Sequence, residues 1–201
     1  MARSSRAQVR RRRATLLGMT VVTAGLVALA VGLNPLKRAV VEITLPLKHE
    51  DIIRQQAHDK NLDPALVAAV IYQESKFVDQ TSHAGARGLM QITPDTADFI
   101  AKNSGGIRFE QGDLATPQIN IAYGSWYLRY LLERYEGRTA LAVAAYNAGM
   151  RNVDEWVEEA GGADQFDSAA DIPFPETKHY VAAVLERRRD YARKYSRELG
   201  L

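Results

Sequence analysis

Cysteine is absent from the 201 residues, which excludes a disulfide framework and any thiolate-based metal or redox centre. Histidine is scarce: there are four, with no His-Glu-x-x-His, so a zinc hydrolase is not indicated. Acidic residues are missing from positions 1–13, which instead hold Arg3, Arg6, Arg10, Arg11, Arg12 and Arg13. Setting those six aside from the 26 basic residues leaves 20 against 24 acidic ones. The rest of the chain is therefore net −4, despite a formal total of +2. A net-acidic body argues against nucleic-acid binding. Internal repeats are lacking, and so is any clear alternation of polar and apolar residues, although 81–92 has room for a short hairpin. What remains is ordinary globular material, 46% hydrophobic and 25% charged, which rules out wholesale disorder. The length suits one domain with a short appendage.

The appendage lies at the amino terminus. Residues 14–33 form an uncharged run of 20, rich in Leu, Val and Ala. As a helix it would span roughly 30 Å, about one hydrocarbon core. The positive-inside rule keeps the arginine-rich tail 1–13 in the cytoplasm and sends the body outside. A cleaved signal peptide is the rival reading, because Ala28-Leu29-Ala30 has a small-x-small pattern and cleavage would fall near Ala30. The apolar run continues through Val31 and Leu33, which favours a retained transmembrane anchor. Residues 34–48, with Pro35 and Pro46, read as a juxtamembrane linker, and 49–201 as the folded domain.

That domain reads as all-α, or α+β at most if 81–92 pairs as a hairpin. A first helix is expected over about 49–60. Asp63-Pro64, Thr93-Pro94 and Thr116-Pro117 each place a capping side chain before a proline at the first helical position. The first of these helices should end near Ser75, and the third near Gly137. Further helices are expected over 139–148, ending at Gly149, and over 151–160, closed by Gly161-Gly162. The last starts near Pro175 and runs through Arg187, Arg188, Arg189 and beyond, cations that suit a helix carboxyl end.

Chemistry enters at the end of the second helix. Val67, Val70, Ile71 and Glu74 follow the i, i+3, i+4, i+7 spacing of one helical face. A carboxyl group continuing an apolar stripe resists ionisation, and a raised pKa is what a general acid needs near neutral pH. On periodicity alone, a surface glutamate that simply ends the helix is the favoured reading. Gly85-Ala86-Arg87-Gly88-Leu89-Met90-Gln91 follows, with two glycines that permit positive φ or close backbone approach. Ala145-Tyr146-Asn147-Ala148-Gly149 stands at a helix end, and Glu176-Thr177-Lys178-His179-Tyr180-Val181 opens the last helix. Taken singly, each has a bland account: Gly149 as a cap, Tyr146 as core, Asn147 as a polar helix end, Glu176 as a helix-start acid.

As an ordered set they resemble the catalytic domain of the soluble lytic transglycosylases, a lysozyme-like fold related to goose-type lysozyme. The matched pattern is Glu74-Ser75, Gly85 to Gln91, Ala145 to Gly149 and Glu176 to Val181, with Asp113-Leu114, Pro117, Asn120-Ile121 and Gly124 resembling the middle helix. The resemblance spans roughly 48–195. It implies cleavage of the β-1,4 bond between N-acetylmuramic acid and N-acetylglucosamine without water, leaving a 1,6-anhydro end. It implies peptidoglycan strands as the partner. No metal or organic cofactor is indicated, and the amino-terminal reading puts the place of action on the outer side of the bacterial cytoplasmic membrane.

By the same resemblance Glu74 is the sole catalytic carboxyl. Ser82, Met90, Gln91, Tyr146, Asn147 and Tyr180 are binding or supporting residues. Met90 and Gln91 are expected to line the cleft, Asn147 to contact an acetamido or backbone group, and Tyr180 to hydrogen-bond Glu74. Gly85, Gly88 and Glu176 are expected to be structural. A hydrolytic muramidase and a non-catalytic wall-binding module remain alternatives, since fold and glutamate serve the first and fold alone the second.

Overall fold

Four of the helices in this computed structural model begin with proline, and the residue before each proline is extended. A pyrrolidine ring fixes φ near the helical value and lacks only an N–H that would have no partner there. The structure describes residues 44–105 and 111–201. The tail 1–13, the apolar run 14–33 and the linker up to residue 43 lie outside the described residues, as does the cleavage position near Ala30. Among the described residues no helix is long and apolar enough to cross a membrane.

Residues Pro46–Leu201 form one unit. In chain order its helices are α1 (Glu50–Asp59), α2 (Pro64–Ser75), α3 (Pro94–Asn103), a 3-10 turn at Gln111–Ala115, α4 (Pro117–Arg134), α5 (Thr139–Ala148), α6 (Met150–Glu159), α7 (Pro175–Lys194) and α8 (Ser196–Leu199). The expected helix after Thr116 stops at Arg134, short of Gly137. Its end is closed when the Gly137 N–H donates back to the Leu132 carbonyl at 2.7 Å, with Gly137 at φ 79°.

Helix α2 is the centre of the unit. Ala65 through Ile71 are buried without interruption. A helix apolar on all sides must be surrounded, and α2 packs chiefly on α7 and also on α1. The single stripe Val67, Val70, Ile71 and Glu74 therefore describes too narrow a face. Each fully buried Val, Leu or Ile contributes about 1.5–3 kcal/mol. The remaining core comes from Leu128 and Leu131 of α4, Leu141 to Ala145 of α5, Val153 and Trp156 of α6, and Val181 and Val184 of α7.

Asp63 ties α2 to α7. One carboxylate oxygen caps α2 by accepting from the Ala65 N–H at 2.8 Å. The other accepts from Arg188 Nε of α7 at 2.5 Å. Glu74 sits at the far end of α2, and Tyr180 on the early turns of α7, so the antiparallel pair is held near both ends.

The short hairpin for which 81–92 has room does not form. Among the described residues there is no strand, only two isolated antiparallel bridges, Thr81 with Arg87 and Arg87 with Ile92. Gly85 at φ 81°, Gly88 at φ 76° and Gln91 at φ 49° turn the chain every three residues, too often for extended pairing.

Candidate active site

Glu74 occupies the last turn of α2. Lys76 and Phe77 follow at φ 52° and 62°, so the chain leaves the helix sharply and enters the loop carrying Gly85 to Gln91. Ser75 binds that loop to the helix: its buried hydroxyl donates to the Leu89 carbonyl at 2.7 Å. Fully buried Asn120 of α4 holds it from the other side. The Asn120 side-chain amide donates to the carbonyls of Arg87 at 2.9 Å and Leu114 at 3.0 Å, and its oxygen accepts from the Met90 N–H at 2.7 Å. Three backbone polar groups are thereby satisfied by one side chain.

Two phenols complete the surroundings of Glu74. Tyr180 of α7 is 6% exposed, and its hydroxyl donates to Glu74 Oε1 at 2.5 Å. Tyr146 of α5 donates to the Met90 carbonyl at 2.9 Å. Burial first, and the charge of Glu74 second, push both phenols well above their ordinary pKa. They therefore stay protonated and act as donors. The half-buried Glu74 carboxyl is itself raised to about 7, with burial as the larger cause and the Tyr180 hydrogen bond acting in the opposite direction.

An open pocket adjoins this carboxyl, lined by Gln73, Asn147, Glu176, His179, Tyr180 and Ala183 as well as Glu74. Asn147 is exposed, and its side-chain oxygen accepts from the buried Thr177 hydroxyl at 2.7 Å. That bond turns the Asn147 amide into a held group with its N–H2 left to donate.

The structure thus brings Glu74, Tyr180 and Asn147 to one pocket, with Tyr146 and the Met90 carbonyl beside it. Other expected site residues stand elsewhere. The Met90 side chain is fully buried and packs against Gly124, where an added Cβ would lie 2.3 Å from the sulfur. It does not line the cleft; its carbonyl does the contacting. Gln91 spends both side-chain N–H groups on the carbonyls of Gly88 at 2.8 Å and Gln80 at 3.0 Å, closing the loop on itself. Ser82 accepts from the Ala86 N–H at 3.1 Å and so stabilises the turn. Gly85 and Gly88 take positive φ at turns of the loop, and Glu176, expected to be structural or a helix-start contact, lines the pocket.

Nothing in the sequence assigns a role to Gln73, His179, Thr177 or Asn120. Thr177, His179 and Asn120 lay inside the matched segments, so their place in the pattern was visible without a role. Gln73 had only its position beside Glu74.

Comparison with known proteins follows the same outline. Residues 51–168 match the transglycosylase SLT domain family. The soluble lytic murein transglycosylase of Salmonella typhimurium is 34% identical over 148 residues, which is 72% of this chain and 23% of that protein. Membrane-bound lytic murein transglycosylase F of Pseudomonas fluorescens is 35% identical over 115 residues, 54% of this chain and 22% of that one. The crystal structure of the 70-kDa soluble lytic transglycosylase from Escherichia coli superposes with a TM-score of 0.73 at 31% identity, covering 79% of this chain and 26% of the other. The chain thus spans about a quarter of the length of the curated relatives it matches. Its mostly helical unit has the lysozyme-like fold of that crystal structure. A family match over more than half of its length, with these ordered motifs in place, makes the chain a member of the transglycosylase SLT domain family.

Proposed function

We propose that this chain is a peptidoglycan lytic transglycosylase that cleaves the bond between N-acetylmuramic acid and N-acetylglucosamine and leaves a 1,6-anhydromuramic end. The observation that carries the reading is the Glu74 carboxyl, raised to about 7 and hydrogen-bonded by Tyr180 at the wall of an open pocket. Relatives named as murein transglycosylases support the substrate class.

Protonated Glu74 gives its proton to the glycosidic oxygen as the bond from that oxygen to C1 of the muramic sugar breaks. The departing chain end leaves as an alcohol, and C1 becomes electron-poor. Glu74, now a carboxylate, takes the proton from the C6 hydroxyl of the same sugar while the C6 oxygen bonds to C1. No water is consumed and the proton balance of Glu74 is restored. One carboxyl serves as acid and then base, where ordinary glycosidases divide the roles between two. The C6 hydroxyl belongs to the reacting ring, so its high effective concentration favours it over water. Asn147, held by Thr177, offers its N–H2 to an acetamido oxygen. The buried phenols of Tyr180 and Tyr146 hold the carboxyl and the loop backbone in place.

Mass spectrometry of peptidoglycan digested by the protein tests this. Anhydro products, one water lighter than hydrolytic ones, are expected. Hydrolytic ends would make the enzyme a muramidase, and binding without cleavage would make it a wall-binding module.

Tyr180→Phe separates tuning from chemistry. Losing the hydroxyl removes one hydrogen bond, about 0.5–1.5 kcal/mol and somewhat more to a charged partner. Activity should fall modestly, well short of the loss at Glu74. Because the Tyr180 bond lowers the Glu74 pKa, its removal should move the alkaline limb of the pH–rate profile upward. An unchanged profile on the folded fraction would give the hydroxyl a packing role only.

We also propose that residues 14–33 are retained as a single-pass anchor with Glu74 on the extracytoplasmic side. The 20-residue uncharged run beside six arginines supports this. Amino-terminal sequencing of the mature protein should read residues ahead of Ala14. A chain starting at Val31 would replace anchoring with secretion.

A further inference from the structure

A second depression lies at the other end of α2 from Glu74, roughly 15 Å along the helix axis. It is lined by Asp59 at the end of α1, by Lys60 and Asn61 from the α1–α2 turn and by Trp126, Arg129, Tyr130 and Glu133 from α4. Its floor is aromatic. The half-buried rings of Trp126 and Tyr130, one helical turn apart, stack with centroids 5.6 Å apart and planes 14° from parallel. Phe99 of α3 braces both, with centroids 5.1 Å from Tyr130 and 6.4 Å from Trp126.

Packing of α3 on α4 explains the side of these rings that meets Phe99. It does not explain their polar tips. A Trp N–H and a Tyr O–H each add a polar handle to an apolar ring. Neither the Trp126 N–H nor the Tyr130 hydroxyl hydrogen-bonds to another described residue. Around them the walls are fixed. Arg129 donates from Nε to Glu133 at 2.7 Å and from a terminal nitrogen to the Asn61 carbonyl at 3.3 Å. The Lys60 ammonium donates to Gln56, and burial lowers its pKa, a sign of a partly dry wall.

The charges discriminate between ligands. Asp59 and Glu133 balance Lys60 and Arg129, so the rim carries no net charge. An anionic peptide or a phosphate group would find no electrostatic advantage there. A neutral ligand with an apolar ring face and many hydroxyl and amide groups fits each feature. The C–H face of a sugar ring lies against the negative face of an aromatic ring, and fixed polar side chains with free Trp and Tyr tips meet its substituents. We propose that this depression is an accessory glycan site that binds an N-acetylated amino-sugar segment, separate from the Glu74 pocket. The inference rests on the reading of the substrate as a peptidoglycan glycan. On a polymer, a second hold raises the effective concentration of strand at the first.

The test uses full-length protein in detergent carrying Glu74→Gln, and a β-1,4-linked N-acetylglucosamine hexamer as the probe. Titration should quench Trp126 emission saturably, since Trp156, the other tryptophan, is only 5% exposed. With Glu74 restored, Trp126→Leu should weaken retention on purified sacculi by about tenfold or more while kcat on a short soluble muropeptide stays within about twofold. If Trp126→Leu fails to fold, Arg129→Leu removes a wall without touching the aromatic stack and should weaken hexamer binding by about threefold or more. Wild-type cleavage of sacculi with no response to the hexamer would overturn this site and leave the Glu74 reading standing. Hexamer binding at Trp126 without any cleavage would do the reverse. Quenching by inorganic phosphate or a free stem peptide, and not by the hexamer, would also overturn it.

Discussion

Glu74→Gln is expected to slow release of anhydro products by about a hundredfold or more, because general acid–base catalysis alone contributes about 10²–10⁴-fold. The amide keeps the size of the carboxyl and can still accept from Tyr180, but it carries no transferable acid proton. Turnover at the wild-type rate would falsify the mechanism. The same variant has a stability signature of opposite sign. The Glu74 pKa is raised from 4.5 to about 7 in the folded protein. Between those values the folded state holds more protons than the unfolded chain, so stability falls as pH rises through the window. Below it both states are protonated and the penalty is gone. Glutamine has no such penalty, so the variant should melt higher than wild type at pH 8, and the gap should close toward pH 4. Parallel melting curves at the two pH values check this, and they separate a catalytic loss from a folding loss.

Gly88→Ala is the substitution expected to damage the fold most. A Cβ there would lie 2.1 Å from Asn120 Nδ2, 2.5 Å from its Cγ and 2.6 Å from the Leu114 carbonyl. Neither neighbour can yield. Asn120 is buried and spends its amide on two loop contacts and one to the 3-10 turn, and the Leu114 oxygen is backbone. The φ of 76° adds strain for any L side chain. Together these should cost about 3 kcal/mol or more, a size reserved for a short set of causes including broken buried networks. For a domain of this size that corresponds to a fall in Tm of roughly 6–12 °C. Activity should fall further than stability, because the loop also delivers the Met90 carbonyl to Tyr146. Near-wild-type melting and turnover would show that the loop can repack around the methyl group.

Helix starts were legible in the sequence because their chemistry is local. Asp63-Pro64, Thr93-Pro94 and Thr116-Pro117 each declare a start within two residues, and the structure places helices at all three. Their ends were less so, since α4 stops at Arg134 under a glycine that acts three residues later. The segment 81–92 misled because its bridge-forming residues resemble a hairpin, while the positive φ at Gly85, Gly88 and Gln91 is a property of the folded loop. In the site, Glu74 was reached partly through a stripe that α2 does not have, since it is buried on nearly every side. For Met90 and Gln91 the resemblance shows identity but not side-chain direction, and both side chains serve the loop instead. Asn120 eluded a role for a deeper reason: its three bonds run to residues up to 33 positions away, and no local periodicity encodes them.

The Tyr191 hydroxyl donates to the Pro46 carbonyl at 2.5 Å, at the point where the chain enters the unit. The entering chain is therefore pinned to the later part of α7 as it passes on into α1. Tyr180 lies three turns upstream on the same helix, roughly 16 Å away along its axis. Between the two, Arg188 is anchored to Asp63. A displacement at Pro46 therefore meets that anchor before it reaches the carboxyl–phenol pair, which leaves the geometry at Glu74 insulated from movement where the chain enters the unit.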